Sequence, residues 1–301
     1  MMNDDLTIIL TAGLVATAAG LLGPFLILRR VALMSDAVSH AVLPGIVAVY
    51  LLFGTRAPLP VIVGAAVFAV ICVIGIDLLR STRLVASDAA IALVFPALFA
   101  LGVLGVTEFA SGAHLDLDAT IYGEIAFAPF DVWTFGSVEI ARSIVLIGAV
   151  VLANAVLVAL LWKELKATTF DPEFSRTIGI SPTLLSRLLL IAVAVTAVTA
   201  FESVGAILVV TLLIVPAATA YLLTDRLIAM IAATLAVGWL SAVVGHTVAL
   251  RADASIAGAM GLVAACCFVL ALMLSPKYGL VARTVQRRRR RRAVRAALAA
   301  E

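Results

Sequence analysis

Charge is scarce in this chain. Of 301 residues only 13% are charged, while 64% are hydrophobic. A soluble domain is about a quarter charged and about half apolar, so this composition leaves no room for a soluble enzyme domain. There is no Gly-rich loop ending in Lys-Ser/Thr, which excludes ATP binding by that route. No His-Glu-x-x-His sequence occurs, which argues against a membrane-embedded metalloprotease. The three cysteines, Cys72, Cys266 and Cys267, lie in apolar runs and have neither metal-ligand nor disulfide-framework spacing. Histidine is equally rare, at His40, His114 and His246. The amino terminus, MMNDDL, is acidic and does not read as a cleaved signal peptide, so the first span is expected to stay. No internal repeat is evident by eye.

What the chain has in abundance is apolar runs of membrane-crossing length, about 20 residues each. Candidate spans are 6–28, 37–53, 60–79, 88–107, 138–162, 184–201, 204–223, 227–248 and 255–275. The expectation is an all-α integral membrane protein, a polytopic bundle of eight or nine helices. The 37–53 run is short, and the two runs around Glu202 are the least clearly separated. Basic residues follow alternate spans: Arg29 and Arg30, Arg80 and Arg83, Lys163 and Lys166, Arg226, then the tail. The positive-inside rule then puts the amino terminus outside and the carboxyl terminus inside, with Arg56 and Arg251 as isolated exceptions. The net charge of +3 comes from the tail: residues 277–301 hold nine basic residues and one acid, and the remainder holds twelve basic and seventeen acidic. This divides the chain into a permease-like body, 1–276, and a basic cytoplasmic tail, 277–301. The tail reads as an orientation signal that touches anionic lipid rather than nucleic acid.

Against that apolar background, Asp36 and His40 stand out. Four residues is about one helical turn, so the two share a face, and a carboxylate with an imidazole forms half of a divalent-metal site. The alternative is that Asp36 N-caps the second span while His40 bonds internally; spacing alone leaves both open. Ser39, Asp88 and Glu202 are weaker candidates to complete such a site, with capping or interfacial roles as their alternatives. Asp77 lies one turn before Arg80 and reads as its ion-pair partner. His246 reads as structural. The acidic outer loop, 108–137, carries His114, Asp116 and Asp118, which either are solvated or concentrate cations. In the 163–183 loop, Pro172 at N1 and Asp171 as N-cap predict a short helix over Glu173 to Ile178, ended by Gly179. A helix held against the cytoplasmic face suits docking of a soluble partner.

The stretch LRRVALMSDAVSHAVLPG (28–45) resembles the signature of the membrane-spanning subunits of ATP-binding-cassette importers for manganese, zinc and iron. SDAAIALVFPALFALGV (87–103), DLDATIYGEIAFAP (116–129), FDPEFSRTIGI (170–180) and VGAILVVTLLIVPAATAYLLT (204–224) fit the same family in order. The likeness runs from about residue 6 to about 280 and omits the arginine tail. It implies a permease in the bacterial plasma membrane, working with a second permease subunit (identical or a paralogue), two copies of a cytoplasmic ATPase and an extracytoplasmic metal-binding protein. It implies that Asp36 and His40 coordinate metal within the membrane. It also implies that the 170–180 segment, with Asp171, Pro172, Glu173, Phe174, Arg176 and Gly179, couples to the ATPase. No permanent cofactor is expected, only a transported cation. Carboxylate plus imidazole suits Mn²⁺, Fe²⁺ or Zn²⁺ over Ca²⁺ or Mg²⁺, and the wording LMSDAVSHAVLPG is closer to the manganese and iron members. The rival reading is an ion-coupled secondary transporter with Asp36 and His40 as a proton relay.

Overall fold

The computed structural model describes residues 4–54, 57–109, 125–135, 138–275 and 279. Among them run twelve α-helices: α1 Asp4–Leu28, α2 Ala32–His40, α3 Leu43–Phe53, α4 Pro58–Ser81, α5 Ser87–Phe109, α6 Arg142–Leu160, α7 Trp162–Phe170, α8 Pro172–Thr177, α9 Pro182–Val204, α10 Ala206–Leu223, α11 Leu227–Ala252 and α12 Ile256–Leu274. Nine segments are long and apolar enough to cross a membrane, α2 and α3 together making one of them. The span count and positions match those read from the sequence. The two runs around Glu202 are separate helices, but the break falls at Gly205, not at Glu202, which lies inside α9; Gly205, at φ +81°, accepts the geometry that a side chain would resist.

The centre of the bundle is α1 with α9, the two spans most enclosed by protein. Their burial follows from small residues. Ala12, Ala16, Ala18 and Ala19 of α1 are fully enclosed. At Gly23 an added Cβ would meet the Leu213 carbonyl oxygen of α10 at 2.5 Å. In lipid, where apolar surface gains nothing by leaving water, such close backbone approach supplies the packing that holds helices together. Buried polar groups add cross-links. Asn154 of α6 donates to the Ala18 carbonyl (3.2 Å) and to Thr196 Oγ1 of α9 (2.9 Å), and Trp239 Nε1 of α11 donates to Thr17 Oγ1 (3.0 Å).

Two features depart from the expectations. Residues 132–141, expected as loop running into a span, form an antiparallel hairpin, β1 Val132–Phe135 with β2 Val138–Ala141, register Val132 to Ala141. The β-branched and aromatic residues either side of Gly136-Ser137 are a hairpin signal, and the following span begins only at Arg142. The bundle remains all-α apart from this ribbon. Asp77 pairs across the bundle with Arg187 of α9 (3.0 Å), and among the described residues not with its neighbour Arg80, because the packing of α4 on α9 brings the Arg187 guanidinium to the carboxylate.

Candidate metal site at the broken second span

The second span begins at Ala32, earlier than its apolar run suggested, and is interrupted between α2 and α3. Pro44 explains the interruption. It stands four residues after His40, lacks an N–H for the His40 carbonyl, and its ring would clash there in a continuous helix. The chain takes a turn at Ala41 and Val42 instead, with Gly45 N donating to the Val42 carbonyl at 2.9 Å. Helix α3 then packs so closely on α4 that a Cβ at Gly45 would lie 2.3 Å from the Gly64 carbonyl oxygen.

This places His40 at the last residue of α2 and Asp36 one turn earlier. The N-cap of α2 is Val31, with no side-chain capping bond, so Asp36 is interior to the helix and its capping role is excluded. Nε2 of His40 lies 3.7 Å from Oδ1 of Asp36, beyond a hydrogen bond, with both side chains on one face of α2. The imidazole is framed by two aromatic rings, Phe95 of α5 at 5.8 Å and Phe201 of α9 at 6.3 Å. The opposite side of α2, with Met34, Ala37 and Val38, is buried in the core. His40 and Asp36 keep 34% and 41% of their side-chain surface exposed, an unusual condition for polar groups in a span.

Two donors do not complete a shell for a transition-metal dication, which takes four to six. No group of three His, Cys, Asp or Glu side chains converges among the described residues. Asp88 is therefore not brought to the pair: it is exposed in the first turn of α5, seven residues, or about 10 Å of helix, before Phe95. The side chains of Ser39 and Glu202 lie outside the described residues, as do His114, Asp116 and Asp118 entirely. His246 is 2% exposed and its Nε2 faces Asp5 Oδ1 at 3.1 Å, far along the chain from any other candidate. Sequence reading missed the aromatic frame; Phe95 and Phe201 are ordinary in apolar runs, and only the fold shows that they flank an imidazole.

On the face of the bundle where the chain leaves α1, α7 and α8 form a compact corner. Asp171 Oδ1 accepts from Phe174 N at 2.9 Å, Pro172 occupies N1, and Ile180 N returns to the Ser175 carbonyl at 2.9 Å around Gly179, φ +84°. Glu173 and Arg176 pair on the outer surface at 3.2 Å. Phe170, Phe174 and Ile178 are more than half exposed. The corner is tied to the bundle by Arg29. Its guanidinium donates to Thr168 Oγ1 (2.7 Å), Thr169 Oγ1 (2.9 Å) and, with a longer contact, the Leu165 carbonyl (3.4 Å) of α7, and to Ser186 Oγ (2.9 Å) of α9. Burial holds its pKa below the ordinary arginine value.

Comparison with known proteins agrees with this architecture. The ABC 3 transport family matches residues 5–275. The chain belongs to that family. It is 44% identical over 276 residues to the zinc transport system membrane protein TroD of Treponema pallidum, covering 92% of this chain and 75% of TroD. It is 38% identical over 286 residues to the manganese transport system membrane protein MntD of Bacillus subtilis, covering 95% and 97%, and 30% identical to the chelated iron transport system membrane protein YfeC of Yersinia pestis, covering 93% and 90%. Among solved structures, PsaBC from Streptococcus pneumoniae in complex with Fab superposes with a TM-score of 0.76 at 29% identity, over 91% of this chain and 92% of that one. The chain is thus a multi-pass transport component of the bacterial plasma membrane. Family members named for zinc and for manganese match it comparably, so likeness does not choose the metal.

Proposed function

We propose that this chain is the permease subunit of an ATP-driven importer for a divalent transition-metal ion, with Mn²⁺ favoured and Zn²⁺ or Fe²⁺ as alternatives. The observation that carries the reading is the Asp36–His40 pair at the helix break, half-exposed and two donors strong in an otherwise apolar span. A broken helix supplies polar groups at membrane depth without a lipid-exposed backbone, as transporter substrate sites do. The pair takes the ion as cargo: the carboxylate offsets its charge and the imidazole selects against hard cations. A second permease subunit, identical or paralogous, meets this face of α2 and supplies the remaining donors, together with water.

In this reading residues 1–276 are the permease domain, and the basic 277–301 segment is a cytoplasmic tail against anionic lipid. The 108–137 loop, with His114, Asp116 and Asp118, faces an extracytoplasmic metal-binding protein that releases the ion. The 163–183 segment docks on one of two cytoplasmic ATPases through the exposed face of Phe170, Phe174 and Ile178. ATP binding and hydrolysis displace α7 and α8. That displacement passes through Arg29 to α1 and α9, and the site alternates between outer and inner access. The test is uptake of Mn²⁺, Zn²⁺ and Fe²⁺ into proteoliposomes holding the permease, its ATPase and its binding protein. Uptake of one metal that requires internal ATP, or ATP on the ATPase side, supports the proposal. Uptake driven by a proton gradient without the ATPase would replace it with an ion-coupled secondary transporter.

A further inference from the structure

We infer that the groove between α4 and α9 is a binding site for one anionic phospholipid. Two cavities of about 190 Å³ each adjoin there and share Val73 and Arg187. One carries the polar groups of the groove, Asp77, Arg80, Thr183, Ser186 and Arg187, among apolar walls that include Val31, Met34 and Leu190, beneath the Met34 end of α2. The other is apolar, running along Val70, Ile74, Leu188 and Ile191 toward the membrane interior. A polar compartment continuous with an apolar groove, at the point where two spans end, has the two-part chemistry of a headgroup and an acyl chain.

The charges choose the headgroup. Arg187 gives Nε and one terminal nitrogen to Asp77 Oδ2, which cancels one charge and leaves its other terminal nitrogen without an acceptor among the described residues. Arg80 has no ion pair among the described residues. Arg29 stands behind the pocket, donating to Ser186 Oγ. Two guanidiniums against one carboxylate leave about one positive charge on the lining, with Arg29 adding to the field from behind, and basic pockets between spans take lipid phosphates. The first turn of α9 lines the same compartment at Pro182 and Thr183, and the positive end of its helix dipole favours an anion as well. The polar compartment exceeds by several-fold the roughly 30 Å³ that one water occupies in the liquid, so it accommodates a phosphodiester. Because Asp77 and Arg187 also bridge α4 to α9 directly under α2, an occupying lipid would brace the side of the bundle that carries the metal pair. The inference needs only that the chain spans a membrane and is independent of which ion it carries.

Native mass spectrometry of the purified full chain, offered phosphatidylglycerol or phosphatidylcholine, tests the site. Wild type is expected to retain phosphatidylglycerol preferentially. Arg80→Gln is expected to weaken retention about fivefold, the worth of one interfacial basic residue, and Ile74→Trp, which fills the apolar compartment from its lipid-facing side, is expected to weaken it without altering charge. Both positions are exposed at the groove, so thermal stability of the lipid-free protein in detergent should be unchanged and loss of binding is separable from misfolding. Equal retention of the two lipids, or retention insensitive to both variants, overturns the inference. Displacement of the lipid by millimolar inorganic phosphate would reassign the pocket to a free anion. Disulfide formation between two copies carrying Ile74→Cys would reassign the groove to a second copy of the chain.

Discussion

Arg29 provides a quantitative test of how the corner formed by α7 and α8 is held. Replacing it with alanine removes three hydrogen bonds of 2.7–2.9 Å and one of 3.4 Å. Bonds to a charged group are worth about 1.5–3 kcal/mol each, so the short three sum to roughly 5–9 kcal/mol. Against this stands the cost of burying a guanidinium without a carboxylate partner, several kcal/mol. The threonines are not orphaned by the change, since Thr168 Oγ1 still donates to the Glu164 carbonyl (2.7 Å) and Thr169 Oγ1 to the Leu165 carbonyl (2.6 Å). The net expectation for Arg29→Ala is about 2–3 kcal/mol of lost stability, a fall in Tm of roughly 4–12 °C at 2–4 °C per kcal/mol. Arg29→Lys should fall between, because an ammonium cannot reproduce the planar fork that reaches both helices. Thermal unfolding in detergent measures the first effect. Hydrogen exchange localises it: amides of α7 should open faster while those of α11 hold. An Arg29→Met protein as stable as wild type, with α7 protection intact, would refute the reasoning by showing that desolvation cancels the clasp. In the assembled complex the same variant should hydrolyse ATP but transport less per ATP.

Other expectations follow from single contacts. Gly45→Ala drives a Cβ into the Gly64 backbone of α4; the overpacking should cost about 1–3 kcal/mol and displace the α2–α3 turn, so metal uptake should fall more than thermal stability predicts. Asp171→Ala removes the α8 cap and should cost about 1 kcal/mol, with reduced affinity for the ATPase in pull-down titration, whereas Asp171→Asn should restore both. His246→Phe should leave metal uptake unchanged, since His246 bonds only Asp5 among the described residues and its Nδ1 has no partner; a lost uptake would make that pair part of the ion path.

Much of the bundle was legible because membranes impose one length and one polarity on every span. Nine apolar runs gave nine spans, and the turn chemistry of Asp171, Pro172 and Gly179 gave the α8 corner directly. What the sequence withheld was set by contacts between distant residues. Asp77 found Arg187, 110 positions away, rather than its helical neighbour. Thr168, Thr169 and Ser186 are unremarkable hydroxyls until Arg29 reaches all of them. The break after His40 was announced by Pro44 but not its consequence, that Asp36 sits inside a helix rather than capping one. The hairpin at 132–141 was overlooked because apolar content there read as the start of a span, although the residues are β-branched and aromatic around Gly-Ser. By residue type Asp88 is a weak candidate, with a helix-capping role as its alternative; the fold places it in the exposed first turn of α5, about 10 Å of helix before Phe95.

The most direct test of the central claim is metal uptake by the complete, ATP-energised complex carrying Asp36→Asn or His40→Gln, each near-isosteric and each checked for assembly and basal ATP hydrolysis. The account predicts that both variants assemble and hydrolyse ATP while uptake of the transported ion falls at least tenfold, the equivalent of about 1.4 kcal/mol, with His40→Gln shifting the preference toward hard cations. Normal uptake by both variants would contradict it and leave the pair a structural feature of a broken helix.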